Sequence, residues 1–125
     1  MLARISTELV QLHSRHYGKG PTKAKTHLVD DTVLCLLRGG FTTVERTLIG
    51  TGHQESVLQM RRSFQEVMED EFRNVVEEAT GRTVIAYMSM VHAAPELAAE
   101  LFTLEPLDES EIVAGASGDG AKPEP

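Results

Sequence analysis

This sequence of 125 residues has a single cysteine, no tryptophan and only 5% aromatic residues. One cysteine excludes an internal disulfide. The chain also lacks any run close to the ~20 apolar residues that a membrane-spanning helix needs. The first 17 residues carry charges throughout and have no continuous apolar segment of the kind found in secretory signals. A cytoplasmic location is therefore the expectation.

Basic residues are also few: 12 Lys and Arg stand against 19 Asp and Glu, for a net charge of −7. This balance argues against nucleic acid as a partner, because nucleic-acid interfaces are built from clustered Lys and Arg. The exception is the stretch 13–27, which contains four Lys or Arg, three His and no acid. A local basic patch is predicted there.

Apolar periodicity predicts one α+β domain over 1–105. The longest element is a helix over 54–80, which no Gly or Pro interrupts and which Gly81 follows. A first helix over 2–17 and a short helix over 43–49 are predicted around it, with a β-hairpin over 26–37 and two further strands over 82–91 and 98–104. The predicted fold is an antiparallel sheet of two β-hairpins with three helices, in the order α-β-β-α-α-β-β. The acidic, Gly- and Pro-rich tail over 106–125 is predicted to be disordered.

Two apolar surfaces exceed what a simple two-layer domain would bury. The arc on the long helix covers about half its circumference, so a second surface is needed, either the N-terminal helix or the same helix of another subunit. A homodimer is predicted, with an interface formed by Val57, Met60, Phe64, Met68 and Phe72. The strand over 32–37 is apolar on both faces and is expected to be covered on both sides. Met88 and Met90 share one strand face and are expected in the core.

Two glycine-containing segments are candidates for binding an anion. One is 18–25, where lysines alternate with small residues, and the other is 38–42, which leads into a helix through the capping box Thr42-x-x-Glu45. Simpler alternatives remain open: a turn with solvated lysines, and a strand-to-helix turn in which Arg38 pairs with an acid. The candidate anion or ligand site comprises Arg38, Gly39, Gly40, Thr42, Lys19, Lys23 and Lys25.

Catalytic and metal-binding patterns are missing from the sequence. Cys35 lies in an apolar run typical of a buried, inert thiol, and Asp30-Asp31 suits a tight turn. His13 and His16 are three residues apart, which fits a metal pair, a pH switch, or simply positive charge near a helix C-terminus. We therefore predict no catalytic residue, no metal and no cofactor. The segment 50–53 is a joint between two helices, and a hinge there is left open.

Several local patterns occur in a recognisable order. They are Gly-Lys-Gly-Pro-Thr-Lys-Ala-Lys at 18–25, Val-Asp-Asp at 29–31, Arg-Gly-Gly-Phe-Thr-Thr-Val-Glu at 38–45, Thr-Gly-Arg-Thr-Val at 80–84 and Phe-Thr-Leu at 102–104. With the long charged helix between them, they resemble the MpsC family over residues 1–105. The chain departs from the pattern at 88–91, where relatives tend to carry a His and an Asp. Here the segment reads Met-Ser-Met-Val, and His92 is displaced.

The resemblance implies an association with a sodium-linked, membrane-potential-generating system whose companion proteins resemble inorganic-carbon uptake machinery. It implies no catalytic residue. We therefore expect a non-enzymatic accessory or interaction protein that reaches the inner face of the membrane through a membrane-protein partner. A small-molecule or anion-binding sensor domain is the alternative.

Overall fold

The computed structural model describes residues 1–107, so the predicted tail lies outside the described residues from 108 onward. Three helices and four strands follow one another as α1 (Leu2–Tyr17), β1 (Lys23–Val29), β2 (Thr32–Arg38), α2 (Thr43–Gly50), α3 (Gln54–Thr80), β3 (Val84–His92) and β4 (Leu97–Leu104). Both the α+β class and the predicted order of the elements are confirmed.

Local chemistry sets the helix ends. Gly18 and Gly81 follow α1 and α3 in the left-handed region, with φ of 82° and 70°, where glycine carries no steric penalty. Helix α2 begins at the predicted capping box: the Glu45 amide donates to the Thr42 hydroxyl, and the Glu45 carboxylate accepts from the Thr42 amide. These signals lie within a few residues of each boundary, so the sequence reveals them.

The four strands form one antiparallel sheet in the order β1-β2-β4-β3. The two hairpins are joined through β2 and β4, which become the central strands. Asp30, with φ of 54°, lies in the tight turn between β1 and β2, and this confirms the turn predicted for Asp30-Asp31. Between Val84 and Ala86 the register of β3 shifts by one residue, as at a β-bulge.

All of the helix packing lies on one side of this sheet. Helix α1 contacts β1, α3 contacts β3, and the two helices contact each other. Val33 of β2 and Phe102 of β4 are buried beneath them, together with Leu9 and Phe72. Nothing within residues 1–107 packs over the opposite side, where Leu34 is partly exposed. The expectation that β2 is covered on both sides is therefore wrong for a single chain.

The second surface required by α3 is provided in part by α1. The His13 ring stacks on Phe72 at 5.2 Å between centroids, and Tyr17 meets Phe64 edge-on at 5.1 Å. Among the predicted dimer-interface residues, Val57, Met68 and Phe72 are buried in the chain's own core. Those three side chains are therefore not free to contact a partner. Met60 and Phe64 are 38% and 37% exposed.

Candidate functional site

A row of polar residues crosses the buried side of the sheet, one from each strand. Thr26, Cys35, Glu100 and Ser89 are successive register neighbours across β1, β2, β4 and β3. Thr26, Cys35 and Glu100 are buried. We call this set the polar row. It interrupts an apolar core, and burial of polar groups is costly unless each finds a partner.

Glu100 is the centre of the polar row and is fully buried. The Tyr87 hydroxyl donates to its Oε1 at 2.5 Å, and the Gln65 amide donates to its Oε2 at 3.4 Å. The Nε2 atom of His13 lies 3.9 Å from the same Oε2. At the other side of that ring, Nδ1 lies 2.7 Å from the Leu9 carbonyl oxygen. Since a carbonyl only accepts, Nδ1 carries a hydrogen, and Nε2 of the neutral ring presents its lone pair to Glu100.

Burial governs the protonation of this cluster. It raises the pKa of Glu100 from 4.5 to about 7, although the hydrogen bond from Tyr87 opposes the shift. Burial lowers the pKa of His13. It also raises the pKa of Tyr87, and the charge of Glu100 adds to that effect. Near neutral pH the cluster therefore contains a carboxyl group that is protonated in a substantial fraction of molecules, beside a neutral imidazole.

A surface hollow of about 220 Å³ opens beside the cluster and is lined by Arg62, Gln65, Glu66, Glu69, Tyr87 and Ser89. Gln65 and Tyr87 separate the hollow from Glu100, since both also contact its carboxylate. The Ser89 hydroxyl is buried and has no hydrogen-bond partner within residues 1–107. The arrangement can hold or exchange a proton.

A buried ion pair, Arg61 with Glu45, joins α3 to α2. Arg61 donates from Nε and an Nη atom to the two Glu45 oxygens at 2.6 and 2.7 Å. Its guanidinium also lies 4.0 Å from the Tyr17 ring centroid and 4.2 Å from that of Phe41. Burial raises the pKa of Glu45, but the hydrogen bonds from Arg61 and Thr42 outweigh it, and the pKa is lowered overall. The pair is fully partnered, which favours a structural role.

Backbone amides of the glycine loop predicted to bind an anion are bonded to oxygen atoms of the chain itself. Gly39 donates its amide to the Glu96 carbonyl, and Thr42 donates its amide to the Glu45 carboxylate. Gly40 allows a close approach to Pro21, because a Cβ there would lie 2.7 Å from the Pro21 nitrogen. Lys19 lies near Glu96 and contributes to lowering its pKa. The Gly39 and Thr42 amides are therefore engaged within the chain, and anion binding by the loop and by Lys19 stays a prediction.

The remaining three residues of that site do come together. Lys23 and Arg38 are register partners on β1 and β2. With Lys25 and His27 they line a shallow hollow of about 610 Å³ on the uncovered side of the sheet. Within residues 1–107, Lys23, Lys25 and Arg38 form no salt bridge. We call Lys23, Lys25, His27 and Arg38 the basic strip.

The uncovered side of the sheet, which we call the open face, has an apolar band across its middle. Strand register places two neighbouring rows there: Lys25, Leu36, Ala99 and Met90 in one, and His27, Leu34, Leu101 and Met88 in the other. Met88 and Met90 are 57% and 69% exposed. They do share one face, but the prediction that they lie in the core is wrong. The outer rows are Lys23, Arg38, Leu97 and His92 at one end, and Val29, Thr32, Thr103 and Ala86 at the other.

A second apolar surface follows helix α3. Met60, Phe64 and Val67 recur at helical spacing and are all exposed, with Val67 at 74%. We call these three residues the α3 stripe. They share the helix with the core residues, and of the three Phe64 is partly covered by Tyr17 of α1. Exposed apolar residues that lie together in this way commonly mark contact sites for other proteins.

The two histidines of α1 that were candidates for a metal pair have separate partners. His13 is buried near Glu100, whereas Nε2 of His16 lies 2.7 Å from an oxygen of Glu71 at the surface. No group of three His, Cys, Asp or Glu residues within 1–107 is arranged to hold a metal ion. Over the same residues, every helix is too short or too polar to cross a bilayer.

One comparison with known proteins is informative. The family model described as "Na+-translocating membrane potential-generating system (MpsC)" matches residues 1–106. No curated protein and no solved structure matches the chain. The match begins at Met1, the N-cap residue of α1, and ends two residues after β4. It therefore includes the polar row, the open face and the α3 stripe. The chain belongs to the MpsC family.

Proposed function

We propose that this chain is a non-enzymatic accessory protein of a sodium-linked membrane-potential or inorganic-carbon uptake system. It is a cytoplasmic homodimer that reaches the inner face of the membrane through a membrane-protein partner. The family description supports the first part of this proposal. The observation that carries the rest is that the fold leaves two separate apolar surfaces uncovered, the open face and the α3 stripe.

The α3 stripe fits a partner contact. A helix that presents apolar residues at i, i+4 and i+7 offers the pattern by which helices dock in protein grooves. Glu66 and Asp70 lie on one side of the stripe and are exposed, so the stripe has a polar border on that side, as at the rim of a protein–protein interface.

The test is binding of the purified full chain to inverted inner-membrane vesicles, with and without prior protease treatment of the vesicle surface. We expect sedimentation with intact vesicles, loss of binding after protease, and loss of binding in Val67→Glu. Val44→Glu is the matched control, because Val44 is 68% exposed on α2, outside the stripe. Equal binding to protease-treated vesicles, or equal loss in both variants, would contradict the proposal.

Anion sensing is the second candidate, favoured by the convergence of Lys23, Lys25 and Arg38 on one hollow. A ligand at 100 times its Kd would stabilise the folded chain by about 2.7 kcal/mol. Thermal shift against bicarbonate, phosphate and cyclic dinucleotides tests this candidate. Arg38→Ala and Lys23→Ala should abolish a shift that Lys19→Ala retains. A shift that persists in the first two variants would place the ligand elsewhere.

A further inference from the structure

We propose that the open face is where a second copy of this chain packs, sheet against sheet, with the two-fold axis running along the strands. This inference rests on the homodimer of the proposed function and gives it a location. The carrying observation is the register: the apolar band lies in the two middle rows, and more polar rows lie at both ends. An apolar centre with a polar rim is the usual anatomy of a protein interface.

The size of the open face suits a dimer of modest stability. Four strands ~4.8 Å apart and seven residues long at ~3.4 Å per residue cover a plane of roughly 450 Å². Two such planes amount to roughly 900 Å², and the relief of the side chains adds to the accessible surface buried. The interface therefore lies near the lower limit of about 1,200 Å² for specific, stable interfaces. Sheets that pack face to face keep their strands within about 30° of each other.

The shape of the band is complementary to itself about an axis along the strands. Such a rotation exchanges the outer strands, so β1 of one copy lies over β3 of the other, and β2 lies over β4. Leu36 then lies over the small Ala99 of the second copy, and Leu34 lies over its Leu101. This pairing fills the space above Ala99, and close packing of that kind is what an interface core requires.

The distribution of charge favours a two-fold axis along the strands over one that runs across them. The basic strip lies along one edge of the open face only, on β1 and the adjoining end of β2. Rotation about an axis across the strands would stack one basic strip on the other, and like charges in contact disfavour association. Rotation about the strand axis sends the strips to opposite edges. Each Lys25 then lies over a Met90 of the second copy, where its aliphatic stem covers the thioether.

Substitutions of Met90 test both the surface and the axis. Met90 is 69% exposed, so its replacement leaves the core intact. Met90→Lys places a second cation against Lys25 twice per dimer, and we expect the dimer Kd to rise about fivefold or more. Met90→Glu should lower the Kd by a similar factor, and Lys25→Glu should rescue Met90→Lys. Leu101→Lys should abolish the dimer. Analytical ultracentrifugation of the full chain over a concentration series measures each Kd.

Thiol cross-linking gives a readout that does not depend on affinity. In a Cys35→Ala background, Lys25→Cys and Met90→Cys lie on the two outer strands, about 14 Å apart within one chain. A short bifunctional thiol reagent should join two chains of the double variant but not two chains of Lys25→Cys alone. Cross-linking of the single variant would indicate the other axis.

Several results would overturn the inference. They are a monomer at 100 µM, a dimer that Leu101→Lys leaves intact, and effects of the same sign from Met90→Lys and Met90→Glu.

A monomer that binds phosphatidylglycerol vesicles but not phosphatidylcholine vesicles would assign the face to a membrane surface. A monomeric Met90→Lys that still binds protein-bearing vesicles would confirm the dimer surface separately from the partner surface. A dimeric wild type that binds no vesicles would contradict only the accessory function.

Discussion

Replacing Glu100 with Gln should stabilise the protein, and only above pH 4.5. The carboxyl group has a pKa of about 7 in the folded chain against 4.5 for the free side chain. The unfolded chain therefore releases this proton first, and the free energy of unfolding falls as the pH rises from about 4.5 to about 7. A difference of about 2.5 pH units at 1.36 kcal/mol each amounts to about 3 kcal/mol. Gln keeps an acceptor for the Tyr87 hydroxyl and carries no charge to bury.

The assay is urea unfolding of wild type and Glu100→Gln at pH 4.5, 6 and 8. We expect no difference at pH 4.5, about 3 kcal/mol in favour of the variant at pH 8, and a rise in Tm of about 10 °C there. His13 opposes this trend, since its lowered pKa makes stability rise with pH up to about 6.5. Tyr17, Cys35 and Arg61 are present in both proteins, so the difference curve isolates Glu100.

The matched control is Glu66→Gln, which neutralises an exposed carboxylate on α3 and should leave the difference curve flat. A constant gain at all three pH values would show that Gln acts through packing and not through charge. A loss of stability at pH 8 would refute the argument, because it would mean that the ionised carboxylate is held by its hydrogen bonds more firmly than burial disfavours it.

Three further predictions concern stability alone and are measured by urea unfolding at pH 7. Arg61→Ala should cost about 3–5 kcal/mol, because it leaves the Glu45 carboxylate buried without its partner; a cost below 1 kcal/mol would contradict this. Gly40→Ala should cost more than about 1 kcal/mol, since φ is +92° and the new Cβ would meet Pro21 at 2.7 Å; an unchanged midpoint would show that the loop yields. Thr42→Ala should cost about 1 kcal/mol through loss of the cap on α2, and Thr43→Ala, one residue later, should cost much less.

The fold was predictable because each element carries its own local signal. Helix α3 runs as far as the chain stays free of Gly and Pro, and α2 starts at a capping box that involves only Thr42 and Glu45. The sheet order was less accessible. Pairing of β2 with β4 joins residues 59 to 71 positions apart, such as Cys35 and Glu100, and no local pattern specifies that register.

The polar row was missed because Glu is a residue of surfaces in most proteins. The signal was present in the alternation of β4, where Ala98, Phe102 and Leu104 face inward and Glu100 lies between them. The internal bonding of the glycine loop was inaccessible for a similar reason: Glu96, which accepts a hydrogen bond from the Phe41 amide, lies 55 positions away in the sequence.

The open face illustrates a different limit. The apolar residues on both sides of β2 were recognised, and two-sided cover was the reasonable expectation. Residues 1–107 supply helices for only one side. The sequence therefore encodes more apolar surface than the described part of a single chain buries. We propose that a second molecule covers the rest.

The Arg61–Glu45 pair has a consequence for motion. The segment 50–53 contains two glycines and joins α2 to α3, so it has the composition of a hinge. Swinging α2 away would separate the paired charges and withdraw the guanidinium from the rings of Tyr17 and Phe41. Opening would return both charges to water, which offsets part of the lost attraction, but it would also expose the two rings that the guanidinium covers. We therefore expect the amide hydrogens of α2 and of the N-terminal half of α3 to show similar protection in hydrogen exchange.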